Sequence, residues 1–107
     1  MSATNHHAGL AAEEIVVRHY GLPVAARRWR GPGGEIDLIL RDGAQVIFVE
    51  VKAGRRAAHA LRPAQVARIR ASALAFLGNE PLGQRTECRF DVALVTDGRV
   101  EVIANLM

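Results

Sequence analysis

Two carboxylates and an ammonium, those of Asp37, Glu50 and Lys52, are carried by an otherwise apolar hairpin running from Ile36 to Val51. Strand interiors disfavour such residues unless something offsets the cost of burying them. Taking Asp42-Gly43 as a two-residue turn pairs Asp37 with Phe48 and Glu35 with Glu50. Asp37 and Glu50 are then diagonal neighbours on one face, roughly 7–8 Å apart at the backbone, and Lys52 points the same way. Ile36, Leu38, Leu40, Ile47, Val49 and Val51 make the opposite, apolar face. Like charges so placed repel each other, and Glu35 adds to the repulsion. A divalent cation removes it. Hard oxygen donors suit Mg²⁺ or Mn²⁺, with waters and a phosphate oxygen completing the shell. Such an ion lowers the pKa of a bound water, while Lys52 orients that water or stabilises charge growing at phosphorus. That is the chemistry of phosphodiester hydrolysis. The same residues also fit a solvent-facing hairpin surface in which Lys52 simply pairs with Glu50.

The elements that must hold these groups follow from hydrophobic period and turn residues. Residues 1–7 read as a flexible leader and 8–107 as a single α/β domain. A helix is predicted over Ala8–Tyr20, stopped by Gly21 with Pro23 just beyond. Strands follow at Val24–Trp29, Glu35–Leu40 and Gln45–Lys52, with Gly31-Pro32-Gly33-Gly34 as a turn that could serve as a flexible gate beside Asp37. Residues 53–61 read as a loop. A second helix runs from Pro63 to about Leu77, then strands at Thr86–Thr96 and Arg99–Ala104 surround an Asp97-Gly98 turn. The order α-β-β-β-α-β-β implies a mixed sheet flanked by helices. In the first helix Leu10, Val16, Val17 and Tyr20 form an apolar stripe that includes Glu13. A carboxylate there needs a cation or an arginine such as Arg28; as a third acid approaching the hairpin it would complete a metal box.

The 107 residues carry 13 Arg, one Lys and 11 acids, a formal net charge of +3. From Lys52 to Asn79 there are six positive residues and no acid. Arg55, Arg56 and Arg68 follow the hairpin, and Arg28 and Arg30 flank Trp29 before the glycine-rich turn. Clustered arginines beside acids suit phosphate contacts that position a nucleic-acid backbone without reading its sequence. Gln65, Arg68 and Ser72 border the buried stripe of the second helix (Val66, Ile69, Ala73, Phe76, Leu77), an edge from which Gln65 and Arg68 would face the same cleft. The single Cys88 excludes an internal disulfide and reads as a small core residue. Asp91 reads as the partner of Arg89 in a structural ion pair. No apolar run approaches a membrane span and no secretory h-region precedes Ala8, so a cytoplasmic location is expected. The glycine-rich turn lacks the Lys-Ser/Thr of a phosphate loop.

Gly9-x-x-Ala12-Glu13, Gly34-Glu35-Ile36-Asp37-Leu38-Ile39, Val49-Glu50-Val51-Lys52 and Arg89-Phe90-Asp91-Val92 together resemble the bacterial YraN-like family. That family is similar to archaeal-type Holliday junction resolvases of the PD-(D/E)xK nuclease superfamily. The resemblance spans Gly9 to Val95. It implies a restriction-endonuclease-like core and Mg²⁺- or Mn²⁺-dependent cleavage, with Asp37, Glu50 and Glu13 as metal ligands and Lys52 as the catalytic lysine. The implied partner is structured or branched DNA, and by analogy a homodimer would present two sites. Three departures stand out. Ala12 replaces a usual glycine, Gly54 precedes Arg55 where the family often has arginine, and Gln65 stands where the family tends to carry lysine. The latter two suit an alternative, a non-catalytic nucleic-acid-binding or adaptor domain on the same fold.

Overall fold

The computed structural model describes residues 2–54 and 62–105. Its elements are α1 (Ser2–Tyr20), β1 (Val24–Gly31), β2 (Gly34–Asp42), β3 (Gln45–Ala53), α2 (Pro63–Leu77), β4 (Cys88–Thr96) and β5 (Arg99–Ile103). This is the expected α-β-β-β-α-β-β order. The strands form one sheet in the order β1-β2-β3-β4-β5. Among the described residues only β3 and β4 pair in parallel, as the α2 crossover between them requires. The helix α1 begins ahead of Ala8, where the apolar period starts. It ends as predicted at Gly21, whose φ of 63° suits glycine and whose N–H closes the last turn on the Val17 carbonyl at 3.0 Å.

The two helices cover opposite faces of the sheet. On one face Ala12 and Val16 of α1 pack on Leu38, Leu40, Ile47, Val49, Ala93 and Val95. On the other, Ile69, Ala73 and Leu77 of α2 pack on Ile36, Ile39, Val46 and Phe48. Phe76 makes edge contacts with Trp29 and Phe48, and Phe48 stacks on Phe90 with ring centres 5.0 Å apart. Cys88 lies half-buried against this second cluster, as expected of a small core residue. The architecture is that of a restriction-endonuclease-like α/β core.

Two details of the central hairpin differ from the sequence expectation. The turn residues are Gly43 and Ala44, with Asp42 facing Gln45 and Leu38 facing Val49. Gly43, at φ 60°, takes the first central position, as in Gly-first two-residue turns. The strands are thus slid by two residues relative to an Asp42-Gly43 turn, which preserves faces but changes partners. In addition, Ile36 belongs to the α2-side core while Leu38 belongs to the α1-side core. Strict alternation would put them together, so the chain changes face between them, at Asp37. Across β1, the neighbouring Arg28 has a φ of 47°.

The glycine-rich stretch is a fixed turn, a correction to the gate reading. Gly31 pairs with Gly34, and the wholly buried Ser72 of α2 accepts the Gly33 N–H (3.0 Å) and donates to the Gly34 carbonyl (2.8 Å). A Cβ on Gly33 would lie 2.0 Å from the Arg68 carbonyl oxygen, a backbone atom that cannot step aside. Gly33→Ala is therefore expected to cost about 3 kcal/mol, the upper range for overpacking a tight contact. A urea titration comparing midpoints with the wild type measures it.

On β4, beside Val49, the buried Asp91 carboxylate ties α1, β4 and the segment after β5 together. It accepts the Tyr20 hydroxyl (2.7 Å), Arg89 Nε (3.2 Å) and the Asn105 N–H (3.0 Å). The structural ion pair with Arg89 is as expected, and burial with the adjacent Asp91 charge pushes the Tyr20 hydroxyl pKa up. Among the described residues, no helix is long and apolar enough to cross a membrane.

Candidate functional site

The ladder between β2 and β3 runs from the turn as far as Leu38↔Val49. Continued by one step, it would set Asp37 directly opposite Glu50, closer than the diagonal placement expected from sequence. Here side chains take over the backbone's hydrogen bonds. The Val51 N–H donates to Asp37 Oδ2 at 2.8 Å, and the Asp37 N–H donates to Glu50 Oε1 at 3.3 Å. Each strand thus supplies the carboxylate that satisfies the other's N–H where the ladder opens. The second oxygen of each carboxylate takes no part in these bonds.

The electrostatics of this opening are unbalanced. Burial, followed by the charge of Asp37, pushes the Glu50 pKa up to about 8, against smaller opposing effects of the Asp37 N–H and Lys52. Burial also raises Asp37, opposed by the Val51 N–H and by Lys52. Glu35 raises both. Lys52 is half-buried, and its ammonium acts on both carboxylates, as the sequence arrangement required. Both carboxylates are therefore held above their ordinary pKa range in the absence of a cation.

Glu13 enters from α1, its side chain only 10% exposed, and forms an ion pair with Arg28. This is the arginine pairing that the sequence left open. Burial raises the Glu13 pKa, Arg28 lowers it, and the nearby charges of Asp37 and Glu35 raise it again. Asp37 is thus flanked electrostatically by Glu13 and Arg28 as well as by Glu50.

On the α2 side Glu50 opens into a cleft of about 230 Å³ lined by Gly33, Gly34, Glu35, Glu50, Gln65, Arg68 and Ile69. Of the predicted nucleic-acid contacts, Gln65 and Arg68 therefore share a cleft with a candidate metal ligand. Arg30 is exposed beside Glu35, 4.0 Å away, and Arg28 is held by Glu13. Arg55 and Arg56 lie outside the described residues. Two contributors escaped the sequence reading. Glu35 was weighed only as extra repulsion, yet it forms part of the cleft wall. Ser72 was placed at the border of the α2 stripe, yet it is fully buried and pins the opposite wall. A serine in a helix face otherwise built of Ile69, Ala73 and Phe76 was the available signal.

The carboxylates suit a hard divalent cation in charge and in donor type. Glu50 is buried and Asp37 half-buried, the Asp37 charge acts against that of Glu50, and each is left with an oxygen outside the cross-strand bonds. Among the described residues, no group of three or more His, Cys, Asp or Glu side chains converges closely enough to hold an ion alone. Two carboxylates with waters and a substrate phosphate are the usual holding of Mg²⁺.

Residues 11–95 match the family described as "Uncharacterised protein family UPF0102". A UPF0102 protein of Cereibacter sphaeroides is 56% identical over 108 residues, covering 94% of this chain and 92% of the relative. One from Ruegeria sp. strain TM1040 is 56% identical over 107 residues, covering 94% of this chain and 86% of the relative. A third, from Roseobacter denitrificans, is 47% identical over 109 residues, covering 95% and 84%. With the match extending from α1 into β4 across both strands of the acidic hairpin, the chain belongs to the UPF0102 family.

Proposed function

We propose that the protein is a Mg²⁺- or Mn²⁺-dependent phosphodiesterase, an endonuclease acting on structured DNA. The observation that carries this reading is the cross-strand pair of Asp37 and Glu50 at the break in the β2–β3 ladder, with Lys52 beside it. A merely solvated hairpin would leave these carboxylates in water. Here Glu50 is buried with the half-buried Asp37 against it, at a cost that a cation recovers. The restriction-endonuclease-like core and the likeness of the Gly-Glu-Ile-Asp and Val-Glu-Val-Lys motifs to junction resolvases support the same chemistry.

Asp37 and Glu50 would hold the cation, which when bound supplies a water of lowered pKa and positive charge for the reacting phosphate. Lys52 orients the attacking water or stabilises negative charge on the phosphoryl oxygens. Arg68 and Gln65 on the cleft wall hold the backbone phosphates, one by charge and one by hydrogen bonds alone. Ser72 and Gly33 keep that wall at constant distance from β2.

The test is cleavage of labelled single-stranded, duplex, flap and four-way DNA, and of the matching RNA forms, with Mg²⁺, with Mn²⁺ and with chelator. Metal-dependent cleavage of at least one form is expected, lost in Lys52→Ala. Binding should weaken steeply with salt and in Arg68→Ala. Gln65 favours a second reading, since it puts a neutral side chain in the cleft. A non-catalytic binder on this fold would hold DNA equally with and without Mg²⁺ and turn over none of these substrates.

A further inference from the structure

We propose that Arg28 supplies the second positive charge of this centre, so that it takes one divalent cation on Asp37 and Glu50 while Glu13 holds Arg28 in place instead of binding metal. The inference rests on the metal-dependent reading above and specifies its stoichiometry.

The geometry of β1 carries it. Consecutive residues of a strand point to opposite faces. Yet Arg27 and Arg28 both reach acids of α1, Arg27 meeting Glu14 at 3.4 Å and Arg28 pairing with Glu13. The left-handed backbone of Arg28, at φ 47°, departs from ordinary strand geometry where this happens. For a residue with a Cβ that conformation is strained and persists only where the surroundings hold it. The ion pair with the nearly buried Glu13 carboxylate is made from this residue.

The result is a guanidinium whose charge acts on both Glu13 and Asp37. An arginine does not lose its proton in a protein, so this charge is permanent. A second divalent ion bridging Glu13 and Asp37 would have to expel it and leave it without its partner. The Arg28 side chain is also 36% exposed, and among the described residues its bond to Glu13 is made through Nη1. Its other donors can meet an oxygen of the same phosphate that Asp37 and Glu50 address. Glu13 is on this view a positioning residue and Arg28 a substrate contact.

Calorimetric titration with MnCl₂ at pH 8, without nucleic acid, tests this on the whole chain. The wild type is expected to take one Mn²⁺. Glu13→Gln should keep that stoichiometry with nearly unchanged affinity, whereas Asp37→Asn should weaken binding by roughly tenfold or more. Arg28→Met, which uncovers Glu13, should admit a second ion. Two ions in the wild type, a loss of affinity in Glu13→Gln as large as in Asp37→Asn, or an unchanged count in Arg28→Met would each overturn the inference and leave the metal-dependent reading standing. An absence of Mn²⁺ binding by the wild type would overturn both. The wild-type count decides even if a variant fails to fold.

Discussion

Asp37→Asn is expected to abolish metal-dependent hydrolysis, by about 10³-fold or more, equivalent to about 4 kcal/mol of barrier, while making the folded protein more stable at pH 8. The two effects have one cause. Glu50 is buried and Asp37 half-buried on facing strands, and the Asp37 charge raises the cost of ionising Glu50. An asparagine keeps a carbonyl oxygen for the Val51 N–H, the bond that Asp37 Oδ2 accepts at 2.8 Å. It removes the negative charge, and with it both the repulsion and one ligand of the proposed cation. Loss of function with gain of stability is the signature of groups held together against their own repulsion for a reaction. Single-turnover cleavage and a urea midpoint on the same preparation provide the two readouts. Retained cleavage would remove Asp37 from the mechanism, and a large fall in stability would mark its carboxylate as structural.

The second expectation concerns pH. Glu50 has a folded-state pKa of about 8 against an ordinary value of 4.5. Between these values the folded chain keeps a proton that the unfolded chain has released. Unfolding is then accompanied by proton loss, so this group's contribution to stability falls as pH rises from about 4.5 to about 8 and levels off above. The slope is on the order of 1.4 kcal/mol per pH unit where the two states differ by a full proton. Asp37, also raised, acts in the same direction. Urea midpoints of the wild type should therefore drop from pH 5.5 to pH 8.5 by an amount that Glu50→Gln largely removes, leaving the variant the more stable protein at the alkaline end. Adding Mg²⁺ or Mn²⁺ at pH 8.5 should restore the wild type and leave Glu50→Gln almost unmoved, because an ion that binds only the folded state stabilises it by mass action. A wild-type midpoint that does not change over this range would mean that Glu50 is ionised at no cost and that the site is open to water.

Much of the scaffold was legible in the chain because its signals are local. Alternating apolar residues marked β2 and β3, the period of Ile69, Ala73, Phe76 and Leu77 marked α2, and Gly21 ended α1 through its own backbone freedom. The side-chain parity of Glu50 and Lys52 needed only the strand. Register was harder. Asp42-Gly43 and Gly43-Ala44 are both plausible two-residue turns, and the two-residue slide between them leaves every face as it was. Hydrophobic patterning therefore could not choose, although the choice moves Asp37 from a diagonal to a facing position across from Glu50. Ser72 and Gly33 show another limit. One reads as an edge residue and the other as a hinge, until the helix and the turn are brought into contact.

The sequence by itself determined the element order, most of the apolar faces (Ile36 excepted) and the presence of three acids and a lysine in the segments that meet. These depend on periodicities of two and 3.6 residues and on turn chemistry, which neighbours along the chain settle among themselves. The tertiary structure alone decided what those acids face. Where β2 and β3 part after Leu38 and Val49, Asp37 and Glu50 each answer an N–H of the other strand. Where β1 turns left-handed at Arg28, Glu13 gains a guanidinium. Charge and burial are properties of groups brought together from distant parts of the chain, so a pKa near 8 for Glu50 exists only once two strands and the neighbouring helices have closed around it.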